Sequence, residues 1–198
     1  MRVHFIAAAL ALAPVTALAQ SSSAQANARA SVAAHASAPV PSDFSASGRA
    51  RLEATYARAQ REHVPESAIA DRVDEGETKG ASEHAILAAA ARVETNMESA
   101  RAAMIAAGRQ PDDDDVRAGA YAMERGVTQA QIRTMARHAP PNRSLAVALN
   151  TVTELNENGM QLNSALTEVQ GKLDAHASDA AITSLVTRGK AGVKLGGG

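Results

Sequence analysis

The 198-residue chain predicts an all-α fold of about eight helices in short helix–turn–helix units, packed as a bundle or an irregular helical array. Three observations carry that prediction. Hydrophobic residues make up 45% of the chain, many of them alanine, and aromatics only 2%, which suits small-residue helix packing better than a β-sandwich. No stretch sustains the period-two alternation of a strand. A helix-joint motif recurs between residues 63 and 186.

The first element is an address. Met1-Arg2-Val3-His4 is a short positive segment, Phe5 to Val15 is apolar and broken only by Pro14, and Ala17-Leu18-Ala19 has small residues where signal peptidase reads them. The pattern predicts a signal peptide over 1–19, cleaved after Ala19, and an exported protein, periplasmic or secreted. The apolar run is too short to span a bilayer and no cysteine follows it to take a lipid, so no transmembrane segment is expected in the mature chain. From Gln20 to Ser47 the chain is mostly Ser, Ala, Gln and Asn, with Pro39 and Pro41 and only Arg29 and Asp43 charged. Such a stretch lacks the apolar surface to offset ordering entropy, and it reads as a disordered leader over 20–47. The remainder, 48–195, is long enough for one helical domain with its own core.

The joints define the helices. His63-Val64-Pro65 leads to Ile69, Gly80-Ala81-Ser82 to Ile86, and Gly126-Val127-Thr128 to Ile132; looser copies start at Gly159 and at His176, the latter leading to Ile182. The first residue of each is where a helix ends in the left-handed conformation, which glycine adopts without a Cβ penalty. The second is the apolar N′ residue. The third is the N-cap, where Ser82, Thr128 and Ser178 can accept from an orphan backbone amide. Ala81 with Ile86 and Val127 with Ile132 have staple spacing, and Thr128 with Gln131 matches a capping box. Ten residues after each start stand Val73, Ala90, Ala136, Val169 and Val186, one turn further along the same face. Lys79 and Arg125 precede their glycines and complement the helix C-terminal dipole.

The expected helices are 48–62, 65–79, 82–107, 111–125, 128–138, 143–158, 161–175 and 178–188. Pro65 fills an N-cap slot, so its helix is expected to start one residue early with proline at N1, and Pro111 is expected at N1 of the fourth helix. The spacing of starts places a further joint at Asn142-Arg143-Ser144. Gly119 and Gly171 fall inside helices, where alanine would be the better helix former.

Repeated Gly-Val-Pro-like or Gly-Ala-Ser joints behind a Lys-Gly or Arg-Gly helix end look like those of uncharacterised exported helical proteins from high-GC bacteria. The resemblance covers most of 50–190. It implies an exported helical fold and carries no known activity, because its motifs are joints and not active-site signatures. Leu166-Thr167-Glu168-Val169-Gln170 is similar to the Leu-Thr-x-x-Gln motif of periplasmic Spy-type chaperones, present once where that family has two copies.

Composition excludes several functions. With no cysteine there is no disulfide, thiolate zinc site, iron–sulfur cluster or cysteine nucleophile. A formal charge of −1 gives no footprint for nucleic acid, and without tryptophan there is little to stack on bases or sugars. Asp112-Asp113-Asp114-Asp115 fails the calcium-loop pattern, since Arg117 and Met123 stand at loop positions 6 and 12; it reads as helix-start charge. The histidines His35, His63, His84, His138 and His176 show no zinc spacing and read as surface or cap residues. Gly189-Lys190 lacks the upstream glycine of a P-loop, no Gly-x-Ser-x-Gly elbow occurs, and Asn142-Arg143-Ser144 is a glycosylation sequon by pattern only. Met97, Met104, Met123 and Met135 read as gap-fillers in an aromatic-poor core.

No catalytic, cofactor-binding or metal-ligating residue is therefore expected, and no cofactor. The sequence favours a non-enzymatic helical protein of the bacterial cell envelope or secretome, a protein-interaction or structural module with a protein partner. The alternative is a periplasmic chaperone-like or small-ligand-binding protein, to which a large apolar cavity or an exposed apolar groove would point.

Overall fold

A computed structural model describes residues 39–195, with side chains to Arg188. They form eight helices: α1 Ala46–Arg61, α2 Glu66–Thr78, α3 Glu83–Ile105, α4 Asp113–Glu124, α5 Gln129–His138, α6 Ala146–Glu157, α7 Leu162–Asp174 and α8 Asp179–Leu195. No strand occurs among the described residues, so the all-α fold stands. The expected signal peptide, and the expected leader as far as residue 38, lie outside them.

The five joints close alike. His63, Gly80, Gly126, Gly159 and His176 have φ of 53°, 66°, 95°, 93° and 51°. After each, the next amide donates to the carbonyl five residues back: Val64 to Ala59, Ala81 to Gly76, Val127 to Ala122, Met160 to Leu155 and Ala177 to Lys172, at 2.9–3.0 Å. This is the double-bonded helix end that needs a left-handed residue. Gly108 (φ 80°) ends α3 in the same way, a sixth case outside the motif series.

The new helices are then capped by their own first turn. Ser82 accepts from the Ala85 amide and Ser178 from the Ala181 amide, both at 3.3 Å. Thr128 accepts from the Gln131 amide at 3.3 Å while the Gln131 side chain accepts from the Thr128 amide at 2.8 Å, completing the capping box. The residues ten past each start, Val73, Ala90, Ala136, Val169 and Val186, are all buried.

Several boundaries differ from expectation, each for a physical reason. Pro65 is the N-cap itself, with extended backbone, and not N1. Asp112 caps α4 by accepting from the Asp115 amide at 2.8 Å, which puts Pro111 before the helix. Ala81 is exposed, so only the Ile86 half of that staple reaches the core. In the Gly159 joint Gln161 makes no side-chain cap bond, yet Ala165 is fully buried at the N4 position. α8 runs on to Leu195 through Gly189, a glycine that costs a helix only about 1 kcal/mol. The helical domain also starts before residue 48: Phe44 is buried, Val40 packs on the same cluster, and Ser45 caps α1 by accepting from the Gly48 amide at 3.0 Å. One aromatic side chain in a polar stretch was enough to anchor it.

The expected joint at Asn142-Arg143-Ser144 is not of the left-handed kind. None of its residues has positive φ, and α6 starts at Ala146 with no cap bond from its own N-cap residue, Leu145. Two buried charges from elsewhere serve this corner. The Arg109 guanidinium donates to the carbonyls of Ala139 (3.2 Å), Pro140 (2.9 Å) and Arg143. Asp115, 4% exposed, accepts from the Ser144 hydroxyl (2.7 Å) and from the amides of Leu145 (2.6 Å) and Ala146 (3.0 Å). Arg143 in turn donates to the Ala177 carbonyl and pairs with Asp179 at the start of α8.

Packing is between neighbours and next-neighbours only. α1, α3, α5 and α7 touch in succession as one layer, α4, α6 and α8 as the other, and no two helices more than two apart in the chain pack substantially. α2 joins the second layer through Arg72–Glu124 at 2.7 Å and Arg117–Asp71 at 3.3 Å, both to α4. The arrangement is an open two-layer array of hairpins, not a closed bundle. Two cores run through it. One gathers Leu52, Tyr56, Ile69, Val73 and Met97 from α1–α3; the other gathers Met104, Ile132, Leu149 and Leu173 from α3–α7. The long α3 belongs to both, as does α4 through Val116 on one side and Ala122 on the other. Met97, Met104 and Met135 are fully buried, as gap-fillers should be.

Candidate functional site

The second layer places one stripe of α4 at the surface between α2 and α6. Asp114, Arg117, Tyr121 and Arg125 recur at intervals of three and four residues, so they share one helix face. Arg117 reaches α2, pairing with Asp71 and donating to the Ser67 hydroxyl. Tyr121 reaches α6, its hydroxyl donating to Glu157 at 2.8 Å. Arg125 pairs with the same Glu157 carboxylate at 2.8 Å, donates to the Tyr121 hydroxyl at 2.9 Å, and lies 4.9 Å from the centre of its ring. The hydrogen bond to Glu157, then partial burial, holds the Tyr121 phenol above the usual tyrosine pKa. It stays a neutral donor at any physiological pH.

The stripe separates two depressions. One, of about 140 Å³, has an apolar floor of Ala68, Val93, Met97 and Ala120 and a charged rim that includes Arg72 and Glu124. The other, of about 350 Å³, lies between α4 and α6 against Ala146 and Asn150. Arg117 and Tyr121 line both. Among the described residues Tyr121 and Ile105 are the exposed large hydrophobics, and Ile105 stands apart at the end of α3.

A third depression, of about 440 Å³, lies at the corner that Arg109 and Asp115 hold. Its two buried charges are occupied by backbone groups, so they act in structure. Tyr56 carries the largest pKa displacement, raised to about 12, mainly by burial and then by Asp74, Glu66 and Glu77; its hydroxyl has no partner. Glu94 is fully buried and pairs with Arg58 at 3.0 Å, while its second oxygen has no hydrogen-bond partner. Neither group lines the depressions beside α4.

The residues singled out in the sequence fall elsewhere. His63 and His176 are the left-handed joint residues, His84 is in the first turn of α3, and His138 ends α5 with Nδ1 2.6 Å from Asp174. His35 lies outside the described residues. Among the described residues no three His, Asp or Glu side chains are placed to hold a metal ion. Asp112 and Asp115 divide the acidic run between two caps, one local and one for α6. In the chaperone-like motif, Leu166 and Val169 are buried and the Thr167 hydroxyl donates to the Asn163 carbonyl inside α7. The α4 stripe escaped sequence reading, although its three-and-four spacing of charged and aromatic residues is visible there.

Compared with protein-family models, with curated proteins and with solved structures, the chain finds no match.

Proposed function

We propose that the helical domain is a non-catalytic protein-interaction module of an exported protein, and that it docks its partner on the α2–α4–α6 face. The observation that carries this reading is Tyr121, an exposed aromatic on the ridge between two depressions, in an array whose other described large apolar side chains, save Ile105, are withdrawn from the surface. Stacked hairpins with open ends offer an extended face to a partner. Interface centres favour tyrosine and arginine, and Tyr121 is flanked by Arg117 and Arg125.

Both alternatives have less support. A chaperone for unfolded clients would be expected to expose a broad apolar patch; the apolar-floored depression, about 140 Å³, is small beside the roughly 300–1,000 Å³ of typical small-molecule sites, and the two larger ones lack its apolar floor, with charged and amide side chains in their lining. Export rests on the pattern of residues 1–19, and N-terminal sequencing of mature material should begin at Gln20.

The docking test is a photo-cross-linking residue placed at 121 or at 53 of the full chain in its own cells. Position 121 should trap a discrete protein partner, whereas 53, exposed on α1, should not. Equal trapping at both positions, or none at 121, would overturn the proposed face.

A further inference from the structure

Among the left-handed helix ends, the one between α6 and α7 is alone in placing asparagine before its left-handed residue, as Asn158-Gly159. No other asparagine in the chain precedes a glycine. The dipeptide carries a reaction of its own. An asparagine side-chain amide is an electrophile, and a five-membered ring is all that separates it from attack by the next peptide nitrogen. A following side chain hinders that approach, whereas glycine has no Cβ and turns freely about φ and ψ.

The structure holds the two reacting groups apart. The Asn158 side-chain nitrogen donates to the Glu154 carbonyl at 2.7 Å. The Gly159 amide donates to the Asn156 carbonyl at 2.9 Å, and the Met160 amide closes the joint on the Leu155 carbonyl at 3.0 Å. With Asn158 at ψ 10°, the Gly159 nitrogen is nearly eclipsed with Asn158's own nitrogen and turned away from its Cβ, whereas ring closure needs it on the Cβ side. Opening the last turn of α6 releases all of these restraints together, and helix ends open at far lower free energy than a whole fold. Gly159 is exposed and has nothing within 4 Å of where a Cβ would stand, so solvent reaches the opened joint directly.

We infer that Asn158-Gly159 is a site of spontaneous covalent modification, silent while the α6–α7 joint is closed and reactive when that joint opens. A solvent base takes the Gly159 amide proton, and the nitrogen attacks Cγ of Asn158. The N–Cγ bond forms, the Cγ–Nδ2 bond breaks, and ammonia leaves with a proton from solvent. Water then opens the cyclic imide at either carbonyl, giving aspartate or isoaspartate, in which the main chain runs through the former side chain. Water is the one co-reactant and nothing is oxidised or reduced.

The product does not restore the joint. Either form puts a negative charge at the C-terminus of α6, on the same turn as Glu154 and Glu157, where the helix dipole disfavours it. Isoaspartate also inserts a main-chain carbon into the turn whose amides bond back to Leu155 and Asn156. The residue before it is Glu157, which holds the Tyr121 hydroxyl and Arg125, so the change reaches the α4 stripe through its anchor on α6.

The test incubates the full mature chain in mildly alkaline buffer, folded and in guanidinium chloride, and locates isoaspartate by enzymatic methylation and peptide mass spectrometry. Residue 158 should be the fastest-reacting asparagine in the unfolded chain and should react at least tenfold more slowly in the folded one. Gly159→Ala should slow the unfolded reaction severalfold. Asn156→Ala removes the side-chain bond to the Met160 carbonyl (3.0 Å); it should speed the folded reaction severalfold and leave the unfolded rate unchanged. Ile69→Val weakens the distant core of α1–α3 and should change the folded rate less than twofold. The converted chain, returned to buffer, should unfold at lower denaturant than its parent. Equal rates in folded and unfolded chains, or another asparagine reacting as fast as 158, would overturn the inference. So would equal acceleration by Ile69→Val and Asn156→Ala, because the reaction would then follow unfolding of the whole domain and not opening of this joint.

Discussion

The left-handed joints and the corner between α5 and α6 do the same work by opposite means. At Gly126 the chain ends one helix and starts the next with residues lying within six positions of each other: the glycine, Val127, Thr128 and Gln131. At 139–145 the chain turns without a left-handed residue, and its loose carbonyls and amides are satisfied by Arg109 and Asp115, about thirty positions earlier. The first kind of turn is written where it occurs. The second exists only once α4 has packed against α6. The joints should therefore tolerate loss of any one member, whereas the corner should fail when either charge is removed.

The comparison is broken most directly at Asp115. Asp115→Ala leaves the fully buried Leu145 amide without its acceptor and the Ala146 amide with the Ser144 hydroxyl alone, and should cost about 3 kcal/mol in denaturant unfolding. A cost no larger than that of Thr128→Ala would mean that the corner is not dependent on the distant carboxylate. Arg109→Met, which keeps the stem but removes the guanidinium, should cost about 2 kcal/mol; here the stranded groups are carbonyls beside an open depression.

Single losses at the local joint should be smaller. Thr128→Ala should cost about 1 kcal/mol and Gly126→Ala a similar amount, the latter because a Cβ at φ 95° is strained. Gly171→Ala sharpens the contrast, since nothing lies within 4 Å of its added Cβ, and it should stabilise by up to about 1 kcal/mol. Gly119 does not behave as a plain helix-interior glycine: a Cβ there would stand 2.6 Å from the Ala100 side chain, so α3 and α4 approach too closely to admit it.

The smallest effect at neutral pH should come from Tyr56→Phe, which touches neither kind of turn. Its hydroxyl has no partner, so losing it should change stability by less than about 0.5 kcal/mol at pH 7. In the wild type, burial raises the phenol's pKa from 10.0 to about 12. The folded state thus binds the proton more tightly; that stability is complete below pH 10 and is lost as pH rises towards 12. Unfolding curves taken across that window should separate wild type from Tyr56→Phe, and parallel curves would show the hydroxyl to be wet.

The same contrast explains what the sequence made legible. Helix count, five of the joints, the capping box and the buried positions ten residues past each start are properties of short windows, and all could be read. The α6 start could be read only in part: the Ser144 hydroxyl accepts from the Ala146 amide locally, but the acceptor for the Leu145 amide is Asp115 on another helix. The start of the domain at Phe44 was hidden by the polar composition around one aromatic residue. The candidate face was half visible: the α4 stripe is a periodic pattern, but that Arg117 and Arg125 are committed to α2 and α6 depends on which helices become neighbours. Local chemistry is linear in the chain, whereas charge bookkeeping on a face is not.

The rule that helices pack substantially only with those one or two places away has a kinetic consequence. Loop closure between nearby segments is fast and loses little entropy, so low contact order predicts rapid folding without waiting for the chain ends to meet. A hairpin can consolidate on the one before it as soon as it emerges, and a chain of this design can gain or lose a terminal pair without reworking the rest. The corner held by Arg109 and Asp115 is the exception. It ties the third hairpin to the second through long-range bonds, and there the array ceases to behave as beads in series and acquires cooperativity.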